Sequence, residues 1–183
     1  NNVTGGPLQA TLMVNAATLN LPATFTVGNR MQTLSTRYGK LVVENGSVVT
    51  GTQLVVGNRA SGLLDYLTVD SSTVTLSDGI YLDPNNKDWS RAGILFRNST
   101  ITLKTFQANR PAAQPDRSVK FDGATFVPTA SSASFFALDN AMPYNYNHLL
   151  AGGLTIDTAY DVTLDALFDG VGGIVKKGAG TLT

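Results

Sequence analysis

A parallel β-solenoid is the fold class this sequence predicts, and three observations predict it. Five ten-residue segments, 12–21, 41–50, 67–76, 94–103 and 119–128, superimpose with almost no adjustment, their first residues advancing by 29, 26, 27 and 25 positions. Within each segment apolar residues hold the first and third places: Leu12/Val14, Leu41/Val43, Leu67/Val69, Ile94/Phe96 and Val119/Phe121. A second string is repeated as well. Phe25-Thr26-Val27-Gly28-Asn29-Arg30 returns as Leu54-Val55-Val56-Gly57-Asn58-Arg59, and Ile80-Tyr81-Leu82-Asp83 and Phe136-Ala137-Leu138-Asp139 follow the same pattern. A unit returning at a fixed interval of this size indicates a coiled stack.

Each element follows from its residues. Period-two alternation over the first places reads as a half-buried strand. The small pairs that follow, Asn45-Gly46, Ser71-Ser72, Asn98-Ser99 and Gly123-Ala124, mark a corner, because such residues tolerate turn conformations. A hydroxyl column comes next (Thr18, Ser47, Thr73, Thr100, Thr125) and is expected to face outward as a ladder. Another apolar column (Leu19, Val48, Val74, Ile101, Phe126) then points inward. The Phe25, Leu54, Ile80 and Phe136 strings supply the next strand, so each coil carries at least two sheet faces. One unit cannot bury its apolar face alone, whereas stacked units share a core. Six to seven turns of 25–30 residues, with rungs about 4.8 Å apart, make a rod of roughly 30 Å.

Composition narrows the classes. Charged residues are 14% of the chain and balance to zero, which argues against a nucleic-acid partner. Without cysteine there is neither a disulfide nor a thiolate metal site. No apolar run approaches the length of a membrane-spanning helix. No motif calls for a cofactor or metal: the glycine-rich run 170–180 leads into a strand rather than a helix, and no Gly-x-Ser-x-Gly elbow occurs.

A sixth copy, Leu154 to Leu164, carries one extra residue and puts Asp161 in the hydroxyl column. The last segment is the most specific string in the chain. Gly172, Gly173, Ile174, Lys176, Gly178, Gly180, Thr181 and Leu182 match the pattern Gly-Gly-apolar-x-Lys-x-Gly-x-Gly-Thr-Leu. It closely resembles the autotransporter-associated β-strand repeat of autotransporter passenger domains. That resemblance implies a bacterial, secreted or surface-displayed parallel β-helix, exported through the outer membrane by a separate C-terminal barrel that this chain lacks. It implies a structural motif and not a catalytic one. No signal peptide is read in residues 1–7, and the final copy breaks off within the repeat. Residues 1–183 are therefore expected to form one solenoid domain taken from a longer passenger.

Function is expected on segments that interrupt the frame. Three are read as insertions: 83–93, 104–118 and 128–153. Trp89, Arg91, Tyr144, Asn145, Tyr146 and His148 are the candidate ligand-binding residues. If the coils register, Arg30, Arg37, Tyr38, Arg59, Tyr66 and Arg110 join them along one edge. Aromatics and arginine are enriched at recognition hot spots, which suits a host or matrix glycan or protein. Alternatively, the arginines pair with Asp65, Asp88 and Asp116 and the tyrosines cap the flank. His148, the sole histidine, is read as a loop residue that is solvated or hydrogen-bonded, without the partners a metal set needs.

Asn15, Glu44, Asp70, Arg97 and Asp122 share one outward column. They form either a solvated ladder or a sugar- or cation-binding face. Two functional readings follow. The chain is a non-enzymatic structural or adhesive solenoid, or it is a carbohydrate-active β-helix of lyase or hydrolase type. End-to-end self-association through unpaired rung edges is a further expectation.

Overall fold

The computed structural model describes residues 8–27, 37–57, 64–82, 91–108, 117–138 and 145–183. Those residues form strands, corners and bends with no helix, and every strand pair is parallel. The first coil comprises β1 (Leu8–Asn15), β2 (Thr18–Asn20) and β3 (Thr24–Val27). Next come β4 (Arg37–Glu44) with β5 (Val48–Val56), and β6 (Leu64–Asp70) with β7 (Thr73–Leu82). The fourth coil holds β8 (Arg91–Arg97), β9 (Thr100–Leu103) and β10 (Thr105–Ala108). β11 (Arg117–Pro128) with β12 (Ser132–Leu138), and β13 (Asn145–Asp157) with β14 (Val162–Asp165), make the next two. β15 (Phe168–Gly170) and β16 (Ile174–Lys177) close the stack.

Three ladders run the length of this stack. In the first, Leu12, Leu41, Leu67, Ile94 and Val119 lie directly over one another, as do Val14, Val43, Val69, Phe96 and Phe121. The second stacks Leu19, Val49, Val74, Ile101, Phe126 and Ile156. The third stacks Phe25, Leu54, Ile80, Phe106, Phe136 and Leu164. These inward columns make one continuous core.

The expected six to seven turns reduce to about four complete ones. Coils beginning at Arg37, Leu64, Arg91 and Arg117 have strand partners on both sides in every ladder. Among the described residues the first coil is paired on one side only, because β1 meets β4 alone and β2 and β3 meet β5 alone. The last coil shrinks to 20 residues, the separation of Thr181 from Asp161. Earlier coils span 25 to 30.

Several register expectations need correction. The second coil turns its corner with three residues, Asn45, Gly46 and Ser47, so Val48 rather than Ser47 pairs with Thr18 and Thr73. Ser47 is buried in the corner, where its hydroxyl donates to the Glu44 carbonyl at 2.6 Å and accepts from the Ala17 N–H at 3.2 Å. Residues 105–108, expected within an insertion, are strand β10, and Phe106 is fully buried. Leu154 belongs to the second ladder, opposite Ala124, and the sixth first-ladder strand is the start of β13. There Asn147 takes the place below Val119; buried, it donates its amide to the Leu167 carbonyl at 2.8 Å. Asp161 lies past the second-ladder strand, not in the hydroxyl column, which Thr155 continues.

The corner itself has a clear physical signature. Ala16, Asn45, Ser71, Asn98 and Gly123 all adopt positive φ, between 44° and 76°. That left-handed conformation is why Asn, Ser and Gly gather there. Backbone bonds continue through it, from the Ser71 N–H to Arg97 at 2.9 Å and from the Asn98 N–H to Asp122 at 2.9 Å.

Beside this column lies a buried one of small residues, Ser47, Ser72, Ser99 and Ala124. Ser72 Oγ accepts the Ser47 N–H at 3.1 Å, but Ser99 Oγ has no partner among the described residues. An unpaired buried hydroxyl costs about 1–3 kcal/mol. Ser99→Ala should therefore raise the urea midpoint, with a gain of about 1 kcal/mol. A lower midpoint would mean that the hydroxyl is bonded.

Candidate functional site

The outward positions that end the first-ladder strands carry a column of polar and charged side chains, Asn15, Glu44, Asp70, Arg97 and Asp122. Asn15 donates to Glu44 at 3.0 Å, and Asn45 donates to Asn15 at 3.1 Å. Further along, Arg97 stands between Asp70 and Asp122, its guanidinium 3.5 Å from one carboxylate and 3.4 Å from the other. The second Asp122 oxygen accepts the Gly152 N–H at 3.0 Å. These side chains are a quarter to nearly half exposed, so each pair contributes at most about 1 kcal/mol. Arg97 separates the like charges, and the column is a charge ladder.

A neighbouring column holds Lys120, His148 and Asp169 in register. His148 is therefore a strand residue and not a loop residue. Its Nδ1 meets Asp169 Oδ1 at 2.6 Å. Sequence reasoning missed Asp169, because the pairing depends on a register hidden behind polar Asn147. Among the described residues no group of three His, Cys, Asp or Glu side chains could hold a metal ion.

The remaining predicted binding residues are placed as follows. Trp89 and Tyr144 lie outside the described residues, as do Arg30, Arg59 and Arg110. Arg91 opens β8, and Asn145 and Tyr146 open β13, so their backbones sit at the start of first-ladder strands. Arg37 and Tyr38 open β4 in the same way, and Tyr66 pairs with Lys40 and Gly93. Residues 28–36, 58–63, 83–90, 109–116 and 139–144 each join the third ladder of one coil to the first ladder of the next. Ala166 and Leu167 alone make that join before β15. The expected insertions 83–93, 104–118 and 128–153 thus contain strand residues, and the interruptions recur at one corner of successive coils.

The motif residues shape the last coil. Ile174 pairs with Leu154 and Lys176 with Ile156, while Leu182 bridges to Val162. A Cβ on Gly180 would sit 2.1 Å from the Tyr160 carbonyl oxygen, and one on Gly172 would sit 2.0 Å from that of Leu150. Only glycine permits this approach to the coil above. Gly178, with φ at 76°, turns the corner, and Lys176 Nζ donates to its carbonyl at 2.5 Å. Gly173 instead has open space around it.

Thr181 donates its N–H to Asp161 Oδ1 at 2.8 Å. That bond holds the Asp161 carboxyl below its ordinary value of 3.8, and Lys176 adds to the effect. A depressed carboxyl pKa stabilises the fold above the unfolded value and stops doing so as pH falls through the folded one. The last coil should accordingly loosen below pH 3.8, which exchange of the Thr181 amide will report, and Asp161→Asn should remove that pH dependence. Elsewhere, Tyr81 donates to Asp78 at 3.0 Å, and burial followed by that contact pushes its phenol up to about 12.

Near Asp161 a cleft of about 470 Å³ opens beside an irregularity in β12, where Ser132 pairs with Val162 but Phe136 with Leu164. Ser131, Ser132, Thr163, Thr181 and Thr183 line it with hydroxyls. Such a lining can hydrogen-bond a neutral polar group. Comparison with protein-family models, curated proteins and solved structures finds no match for the chain.

Proposed function

We propose that this chain is a non-enzymatic β-solenoid of autotransporter-passenger type, displayed on a bacterial surface or secreted. Its role is structural and adhesive, and it offers the recurrent corner to a host or matrix glycan or protein. The observation that carries this reading is the position of the interruptions. Five consecutive coils place six to nine residues at the same corner, while the motif coil closes without them. The frame needs no such residues to stack, and their sequences contain Arg30, Arg59, Trp89, Arg110 and Tyr144. Arginine and aromatic side chains are the usual anchors of recognition. Against the enzymatic alternative stands the ladder of Asp70, Arg97 and Asp122, whose carboxylates are both engaged by the arginine.

A glycan array and a panel of matrix proteins test this. Binding should be found and should weaken at least tenfold on Trp89→Ala or Tyr144→Ala, a loss of about 1.4 kcal/mol or more. No reducing sugar should be released. Product release that disappears in Asp70→Asn or Asp122→Asn would contradict the proposal.

A further inference from the structure

The second ladder presents an outward face unlike the other two. Thr73, Thr100 and Thr125 stack in one column, and Thr50, Thr75 and Thr102 stack in the column beside it. Val48 and Val127 complete a block of four rungs by two columns, so every position is β-branched and none is charged. The inward residues between the columns, Val49, Val74, Ile101 and Phe126, are locked in the core.

Among the described residues the side-chain hydroxyls of Thr73, Thr75, Thr100, Thr102 and Thr125 make no hydrogen bond within the protein. Rung spacing explains this. Threonine side chains in one column repeat at the rung spacing of about 4.8 Å, well beyond the 2.5–3.0 Å of an O–H···O bond; Thr50, at the edge of the block, donates instead to the longer Asn20. The hydroxyls are left for solvent, in rank and file. β-Branching restricts χ1, so the pattern is set before anything binds.

The pattern has definite dimensions. One axis is the rung spacing of about 4.8 Å; the other is two residues along a strand, about 6.7 Å. Water bonded tetrahedrally at about 2.75 Å puts next-nearest oxygens about 4.5 Å apart, and repeats along the perpendicular axis at about 7.3 Å. Both axes agree to within about a tenth. Threonine also suits such a partner chemically: its hydroxyl joins the hydrogen-bond network while its methyl fills the gap between oxygens. Valine keeps the shape where it replaces threonine. An aromatic plate, which a crystalline polysaccharide would use for stacking, has no counterpart in the block.

We propose that this threonine and valine face binds the surface of ice. Each rung contributes weakly, and several rungs held rigidly in register act together. The proposal concerns a different face from the corner proposed for glycan or protein binding, and either can fail alone.

The test is made on the purified chain with a single ice crystal in its solution. The chain should facet the crystal, open a gap between melting and freezing temperatures, and partition into growing ice. Thr100→Tyr, which raises a ring above the middle of the face, should abolish the gap, as should Thr75→Tyr at an exposed site that packs against little. Thr100→Val should keep most of the gap, and Lys120→Ala, on the first ladder, should leave it unchanged. Absence of a gap and of partitioning in the parent chain would overturn the proposal. So would an undiminished gap in Thr100→Tyr or Thr75→Tyr with intact β circular dichroism, or exclusion from ice with retention on microcrystalline cellulose or chitin.

Discussion

Val69→Asp is expected to unfold several coils at once. Val69 is fully buried in the third coil, stacked between Val43 and Phe96. An aspartate there puts a carboxylate among apolar columns with no partner, a cost of more than about 4 kcal/mol. In a stack whose stability is a sum of coils and the interfaces between them, a coil that is lost strips its neighbours of one interface each. Hydrogen exchange should therefore show protection falling together across residues 41–44, 67–70 and 94–97. Val69→Ala, which leaves only a small cavity, should lower the urea midpoint and keep that protection pattern. Loss confined to β6 in the aspartate variant would contradict the shared core.

Phe136→Ala should be the costliest truncation to alanine. Its ring lies 5.1 Å from both Phe106 and Phe126, 5.2 Å from Phe135, 5.9 Å from Phe121 and 6.2 Å from Phe168. It thus joins rings from all three ladders across coils four to seven. Deleting a buried phenylalanine costs about 3–5 kcal/mol, and the edge-to-face contacts add to that. Equilibrium urea unfolding should show a larger loss than Val49→Ala, which opens a smaller cavity in the same core. Equal losses would mean that the aromatic cluster contributes no more than its area.

Much of the frame was legible because a solenoid writes its register into the sequence. Leu41, Leu67 and Ile94 recur at the spacing at which the chain coils, and they stack as the alternation requires. Where the pattern misled, a local feature was responsible. The three-residue corner at Asn45, Gly46 and Ser47 moves Val48 to Gly51 by one place, until a shift between Gly51 and Gln53 restores the register, and Val48 is apolar although it points outward. Thr105 to Ala108 lie between Lys104 and a polar, proline-broken run, and only Phe106 there is strongly apolar, so the strand read as insertion. Asn147 hides the sixth rung because its amide is satisfied by a turn carbonyl, a partner that alternation cannot reveal.

The polar surface was legible in part. The Asp70, Arg97 and Asp122 column could be read because all three follow the third place of their repeats, and the ion pairs follow from the stacking. The His148 contact with Asp169 could not, since the two residues are 21 positions apart where 25 to 30 were expected. The glycines of the last segment are legible in the sequence as a spaced motif. Their physical reason, backbone approach to the Leu150 and Tyr160 carbonyls, lies between coils and has no mark in the local pattern.

Register between coils is tested most directly by cross-linking, and the chain has no cysteine of its own to interfere. Thr68 and Leu95 are outward neighbours on adjacent rungs, whereas Val42 and Leu95 lie two rungs apart on one column. Adjacent rungs place Cα atoms about 4.8 Å apart, inside the 4.4–6.8 Å that a disulfide spans; two rungs exceed it. The Thr68→Cys/Leu95→Cys protein should oxidise readily to an intramolecular disulfide, and the Val42→Cys/Leu95→Cys protein should not. Cross-linking of the second pair in preference to the first would show that the coils do not stack as described.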